Sequence, residues 1–357
     1  MMASCTEDYL LPHIGDHTTI VITGLVTNEQ GPYYVKVMEN VSDISTGKNI
    51  QRGINDALVT ITDGNGNVDE LRSFYSVPLD SVLTSSGIYD NGIPYEIYQY
   101  FIEIPDGDKQ GAKFTIMKDA YGIWNDVREG AYFTKSTKGV PGNTYTLKVY
   151  YAGHEYTATD KMCYGTVIDS VSLEPIGRYI YDKPDGSDGF LVPCLYFAEP
   201  QDEVNFYMFK ETSITRFYNY AFGLFEVNYE PVKYLVLGIL SKYSEDWIPS
   251  VVSDRFMPPY VYQYKMSDGD QARKYFSGTD IGFYGEWNNG GSVDMLCISE
   301  PVYRYYAALS KQFYDDGGVY SPSPASPPTN ISGGAQGCFS AASVSQYFLD
   351  LSNHENQ

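Results

Sequence analysis

The stretch that decides the fold class is Thr144-Tyr-Thr-Leu-Lys-Val-Tyr-Tyr151, then Ala152-Gly153-His154, then Glu155-Tyr-Thr-Ala-Thr159. Two runs rich in Thr, Tyr and Val flank a Gly-containing break, which is the pattern of a β-hairpin. The same signature recurs upstream. Thr18-Thr-Ile-Val-Ile-Thr-Gly-Leu-Val-Thr27 is β-branched, while Tyr33-Tyr-Val-Lys-Val-Met38 and Ala57-Leu-Val-Thr-Ile-Thr62 alternate. Asp63-Gly-Asn-Gly-Asn67 follows as a turn. Tyr95 to Ile104, Lys113 to Met117 and Ala131 to Thr134 are weaker strands. Residues 18–160 are therefore expected to form an immunoglobulin-like or transthyretin-like β-sandwich, with long insertions such as Leu79 to Pro94 as loops.

Residues 161–357 read as a second, larger β-rich domain. Its better strands are Leu191–Ala198, Asn205–Glu211, Lys233–Leu240 and Ser292–Ile298. One segment has a helical period. Val302, Tyr305, Tyr306, Leu309 and Phe313 recur at helical spacing, so a helix is expected over about 301–314. Pro301 suits its first turn, and Asp315-Asp316-Gly317-Gly318 stops it. Ser321-Pro-Ser-Pro-Ala-Ser-Pro-Pro328 then runs extended.

Composition narrows the function classes. The chain has 357 residues, 24 basic and 45 acidic side chains, a net charge of −21, and 35 Tyr. So negative a surface argues against nucleic acid, which needs clustered Lys and Arg, and against docking on anionic lipid. The longest apolar run, Tyr234-Leu-Val-Leu-Gly-Ile-Leu240, is far shorter than the roughly 18–20 residues of a membrane-spanning helix. Met2-Ala3-Ser4-Cys5 resembles a bacterial lipobox, with residues 1–17 as lipoprotein N-terminus and tether. The apolar and basic parts of a signal peptide do not precede it in this chain. A precursor start further upstream is one reading, and a free Cys5 in a frayed tail is the other. Acyl chains on Cys5 would supply about 0.8 kcal/mol of membrane affinity per buried methylene, with no basic patch required.

No sequence motif marks an enzyme. HExxH, GxSxG, GxxxxGK[ST] and GxGxxG are all absent, and His13, His17, His154 and His354 read as solvated polar residues. No catalytic residue and no metal ligand is assigned, and no cofactor is expected. A glycosidase-type carboxylate pair from scattered strands stays open. Asp63-x-Asn65-x-Asn67-x-Asp69 imitates the start of a Ca2+ loop but has Val68 and Phe74 where Gly and a carboxylate are needed, so it reads as a hairpin turn. Asp185-Gly-Ser-Asp188 and Asp268-Gly-Asp270 read as loops, open to structural Ca2+. Cys163, Cys194, Cys297 and Cys338 allow three pairings; buried thiols are the plainer reading, and one disulfide is open if the protein is exported. The aromatic residues are the functional lead. Trp287 opens Trp-Asn-Asn-Gly-Gly291, and Trp247 also lies in polar sequence. Tyr260, Tyr262 and Tyr264 alternate along one strand. These five are candidate glycan- or peptide-binding residues, through stacking or cation–π contact. The alternative is that each Tyr packs its ring at a sandwich rim and leaves its hydroxyl in water.

The C-terminal Ser326-Pro-Pro-Thr-Asn-Ile-Ser-Gly-Gly-Ala-Gln-Gly-Cys-Phe-Ser-Ala341, together with the helix before it, resembles the end of a Bacteroidota lipoprotein family, domain of unknown function 4249. Ala57-Leu-Val-Thr-Ile-Thr-Asp-Gly, Gly142-Asn-Thr-Tyr-Thr-Leu-Lys-Val and Tyr156-Thr-Ala-Thr159 agree with it. So does Phe197-Ala-Glu-Pro followed by Asn205-Phe-Tyr, similar to the family's Asp-Pro then Asn-Tyr-Tyr. Glu199 stands where Asp is usual, and Cys338 where an aromatic residue is usual. Glu7-Asp8 resembles a surface-export tag. The resemblance implies an outer-membrane lipoprotein, anchored at Cys5 and facing the cell exterior. It also implies an accessory role beside a SusC-like TonB-dependent transporter and other surface lipoproteins. A structural or adhesive surface subunit is the alternative, and a surface glycosidase or peptidase the third reading.

Overall fold

The structure is a computed structural model that describes residues 17–43, 48–76, 80–102, 112–119, 122–124, 128–175, 191–200, 203–213, 218–219, 223–224, 250–254, 260–265, 290–314 and 326–350. The chain begins with β1 (His17–Thr27), β2 (Tyr34–Asp43), β3 (Lys48–Gly53), β4 (Leu58–Asp63), β5 (Val68–Glu70) and β6 (Arg72–Ser73). It continues through β7 (Asp80–Ile88), β8 (Pro94–Ile102), β9 (Ala112–Asp119), β10 (Gly122–Trp124), β11 (Ala131–Phe133), β12 (Thr144–Tyr151) and β13 (His154–Lys161). Then come β14 (Ile168–Pro175), β15 (Leu191–Ala198), β16 (Phe206–Ser213), β17 (Tyr218–Asn219), β18 (Gly223–Leu224), β19 (Ser250–Ser253) and β20 (Tyr260–Lys265). The last elements are β21 (Gly290–Ile298), the helix α1 (Glu300–Tyr314) and β22 (Gln336–Asp350).

The deciding hairpin forms as its sequence dictates. β12 and β13 pair from Thr144↔Lys161 to Tyr151↔His154 across a two-residue turn. Ala152 and Gly153 both take positive φ, 50° and 80°, as the tight hairpin turn requires. Tyr145, Leu147 and Val149 point inward while Lys148 and Tyr150 between and beyond them stay outside. With β4 and β5 these strands make a four-stranded sheet, in the order β13-β12-β4-β5. It packs on β1, β2 and β22 through Ile20, Ile22, Val35, Val37, Val59, Ile61 and Phe339, so two sheets enclose a sandwich core.

The larger sheet has nine strands, ordered β19-β16-β21-β22-β1-β2-β11-β6, with β3 on β2. It takes strands from both sides of residue 160. The join is β22, parallel to β1 (Val21↔Gln336 to Thr27↔Ala342) and antiparallel to β21. The alternation of β22 sorts its neighbours. Phe339 and Ala341 meet the first four-stranded sheet, and Tyr347, of the same parity, meets the core under β14 and β15. Cys338, Ala342 and Val344, of the other parity, pack under α1 against Val302 and Tyr306. One face of the long sheet therefore carries two smaller sheets, and the opposite face carries the helix.

The helix runs over Glu300–Tyr314, as the period of Val302, Tyr305, Tyr306 and Leu309 predicts, and an exposed Arg304–Glu300 ion pair of 2.6 Å spans one turn. One expectation is corrected. Leu79 to Pro94 is not wholly a loop, because β7 occupies Asp80–Ile88 and pairs with β8. This strand is rich in Ser and leaves Leu83 and Ile88 exposed. The run Asp80-Ser-Val-Leu-Thr-Ser-Ser-Gly-Ile88 has no hydrophobic alternation to mark it in the sequence, and its pairing with β8 defines it. The turn between them closes with Gly92 N–H donating to Tyr89 O at 2.8 Å. Lys233–Leu240 lies outside the described residues.

Candidate functional site

The motif residues that follow β15 converge at a buried polar junction. Glu199 lies just past β15, Asn205 just before β16, and Tyr207 within β16, a strand of the long sheet. The Glu199 carboxylate accepts from Asn205 Nδ2 at 3.0 Å and from Tyr207 Oη at 2.6 Å. Glu199 and Tyr207 are 4% and 1% exposed. Asn205 in turn donates its backbone N–H to Asp254 Oδ2 at 2.7 Å, and Asp254 returns its own N–H to Asn205 O at 3.1 Å. Burial raises the Glu199 pKa, the bonds from Tyr207 and Asn205 oppose that, and the neighbouring Asp254 carboxylate raises it further. The junction ties the end of one sheet to the start of another, and both carboxyl groups are occupied by chain partners.

Two further buried carboxylates hold backbone in the same way. Asp69, inward on β5, accepts from the N–H groups of Lys135, Ser136 and Thr137 and from Thr137 Oγ1, all between 2.8 and 3.0 Å, through one oxygen. Burial acts to raise its pKa, but these bonds outweigh it and the net shift is downward. Asp160 continues the inward row of Tyr156 and Ala158 on β13, and accepts from the Ala341 N–H of β22 at 2.7 Å. Burial pushes it up to about 6. Asp63 accepts from the backbones of Asn65 and Asn67 and from Asn67 Nδ2, each at 2.9 Å. Its side-chain bond from Asn67 leads the causes that lower its pKa. The Ca2+-like spacing thus resolves into a self-capped β4–β5 turn.

The tyrosines show what sequence reasoning missed. Tyr132 Oη donates to Ile54 O at 2.8 Å and accepts from Ala57 N at 2.9 Å. Tyr145 Oη donates to Lys138 O at 2.8 Å and accepts from Val140 N at 2.7 Å. Tyr33 Oη donates to Glu29 O at 2.5 Å and accepts from Gly139 N at 3.0 Å. The rings fill the sandwich core and the hydroxyls clamp loops, rather than resting in water. Inward parity in a strand with a polar loop close by is the signal that could have found them.

The proposed ligand-binding aromatics are only partly placed. Trp287, Trp247 and Cys5 lie outside the described residues, as do Asp182–Gly189 and Asp268–Asp270. Tyr260, Tyr262 and Tyr264 fall on β20, which pairs with β15 through an irregular register. Tyr264 stands across from Leu195 and Tyr260 across from Ala198, and those two residues belong to opposite faces of β15. Cys297 and Cys338 are buried free thiols, and Cys163 is a half-buried one. Among the described residues, no group of three or more His, Cys, Asp or Glu is placed to hold a metal ion. Among them too, no helix is long and apolar enough to cross a membrane.

Fold and junction together define a mainly β protein whose long sheet is joined by its own C-terminal strand and whose buried carboxylates brace sheet junctions and loops. The chain belongs to the family described as Domain of unknown function (DUF4249), whose model matches residues 6–347. No curated protein and no solved structure matches it.

Proposed function

We propose that this protein is a surface-exposed outer-membrane lipoprotein anchored through Cys5. In this reading it is a non-enzymatic accessory subunit of a SusC-like TonB-dependent uptake system, binding a glycan or peptide, the transporter, or both. Family membership over residues 6–347 supports the reading, through the lipoprotein and transporter association that the resemblance implies. The lipobox-like Met2-Ala3-Ser4-Cys5 supports it. So does the use of Asp69, Asp160 and Glu199 as internal hydrogen-bond acceptors, which fits a scaffold better than a hydrolase. Metabolic labelling with an alkyne fatty acid tests the anchor. Label is expected on the full-length protein and lost in Cys5→Ala; label that survives the substitution overturns the anchor. Affinity capture from native outer membranes tests the partner. Recovery of a SusC-like barrel supports the role, whereas recovery of fibre or adhesin chains alone favours the structural subunit.

A further inference from the structure

Cys163, Cys297 and Cys338 are free thiols, and the first two lie at one sheet junction. Cys297 lies near the end of β21, directly opposite Ser343 of β22. The Ser343 hydroxyl donates to the Cys163 carbonyl oxygen at 2.8 Å, so the 163–165 segment runs over this pair. Gly165 lies close enough that a Cβ there would stand 2.5 Å from Ser343 Oγ and 3.6 Å from Cys297 Cβ. Cys163 packs on the cluster that contains Cys297. Its Sγ lies 3.9 Å from the Lys161 carbonyl oxygen, and Cys297 Sγ lies 4.0 Å from Asn205 Oδ1. Cys338 sits on the opposite face of the long sheet, in the core under α1.

We propose that Cys163 and Cys297 are an intramolecular disulfide site, closed by thiol–disulfide exchange with an oxidised thiol compound or oxidoreductase. The bond would staple the connector leaving the first sandwich to β21 of the long sheet. The two thiols differ in the way such an exchange needs. Cys163 is half-buried and open to a dissolved disulfide, whereas Cys297 is 1% exposed. The nearby Cys297 thiol lowers the Cys163 pKa, and the nearby Cys163 thiol and burial raise that of Cys297. The Cys163 thiolate attacks one sulfur of the external disulfide, forms a mixed disulfide and releases one thiol. Cys297 sulfur then attacks Cys163 sulfur, and its proton leaves with the second released thiol. Overall two protein thiols lose two electrons and two protons, and one external disulfide gains them as two thiols. The chemistry needs no anchor and no transporter, so it stands or falls apart from the function proposed above.

The test uses the purified full chain, reduced, desalted and equilibrated with oxidised glutathione. After acid quenching, denaturation, alkylation and proteolysis without reductant, peptide mass spectrometry reads the pairings. A linked pair of peptides containing Cys163 and Cys297 is expected, with Cys338 alkylated. Cys297→Ser should leave a glutathione adduct on Cys163, whereas Cys163→Ser should leave Cys297 unmodified. This asymmetry follows from the order of attack. Linkage of Cys163 or Cys297 to any other cysteine, or two alkylated thiols at an oxidant level that modifies Cys163 in Cys297→Ser, overturns the proposal. So does a Cys297→Ser protein whose Cys163 takes no glutathione.

Discussion

Asn330 pairs with the backbone of Phe339 in both directions, its Nδ2 donating to the Phe339 carbonyl at 2.7 Å and its Oδ1 accepting from the Phe339 N–H at 3.0 Å. One side chain thus imitates a strand neighbour for β22. Thr329 Oγ1 adds a bond to Gly337 O at 2.8 Å, and Ile331 bridges to Ala158 of β13. The Pro-flanked Asn-Ile of the sequence is a clamp that fixes where β22 begins.

Asn330→Ala removes both bonds and leaves a part-buried N–H and C=O without partners. A loss of about 2–3 kcal/mol is expected, read as a lower urea midpoint with an unchanged slope. Asn330→Asp keeps the acceptor but sets a carboxylate oxygen against the Phe339 carbonyl, so at neutral pH its loss should be at least as large.

Gly337→Ala tests the parallel join. Gly337 has φ of +103°, and a Cβ there would overlap the Ile22 carbonyl oxygen of β1. Both strain and overlap oppose the substitution, so a loss of about 3–5 kcal/mol is expected. Gly66→Ala is the control: its φ is +86° but nothing lies within 4 Å of a Cβ there. Its cost should be about 1 kcal/mol. Equal thermal shifts for the two would remove the overlap from the account.

Tyr145→Phe keeps the buried ring and deletes the hydroxyl that clamps Lys138 O and Val140 N. About 1–3 kcal/mol is expected. Amide exchange should quicken at Val140 and leave the β12 core amides protected.

Asp160→Asn tests the buried carboxyl on β13. Its folded pKa is about 6, above the 3.8 of an ordinary Asp. A raised folded pKa means that its contribution is fully present below about pH 4 and is lost as pH rises through about 6. At about 1.4 kcal/mol per pKa unit, that is on the order of 3 kcal/mol. The Asn Oδ1 can still accept from Ala341 N. The stability difference between variant and parent should therefore grow in favour of the variant between about pH 4 and 6 and stay level above that. A pH-independent difference would show that Asp160 does not titrate in this window. Asp63 and Asp69, whose pKa values are lowered, act oppositely: their contribution is lost as pH falls below the ordinary range.

Much of the fold was legible because it is local. The β12–β13 hairpin follows from alternation and one Ala-Gly turn, and α1 follows from a stripe of apolar residues at helical spacing. β7 was not legible, because its Ser-rich run lacks hydrophobic alternation and only its pairing with β8 makes it a strand. Of the candidate site, the Glu199 and Asn205 motif was visible as a pattern without a role. Its role appears only when Glu199, just past β15, meets Tyr207 of β16.

By itself the sequence determined the strand-rich class, the hairpin, the helix and the family. A period of two or 3.6 is written into neighbouring residues, and the turn residues follow from their own φ preferences. Only the tertiary structure decided that β22 returns beside β1, and that Asp69 and Asp160 spend their charge on backbone N–H groups. It alone set Cys163 against the cluster that holds Cys297. Those pairings join residues far apart in the chain, and burial across whole sheet faces selects them, which no short window of residues encodes.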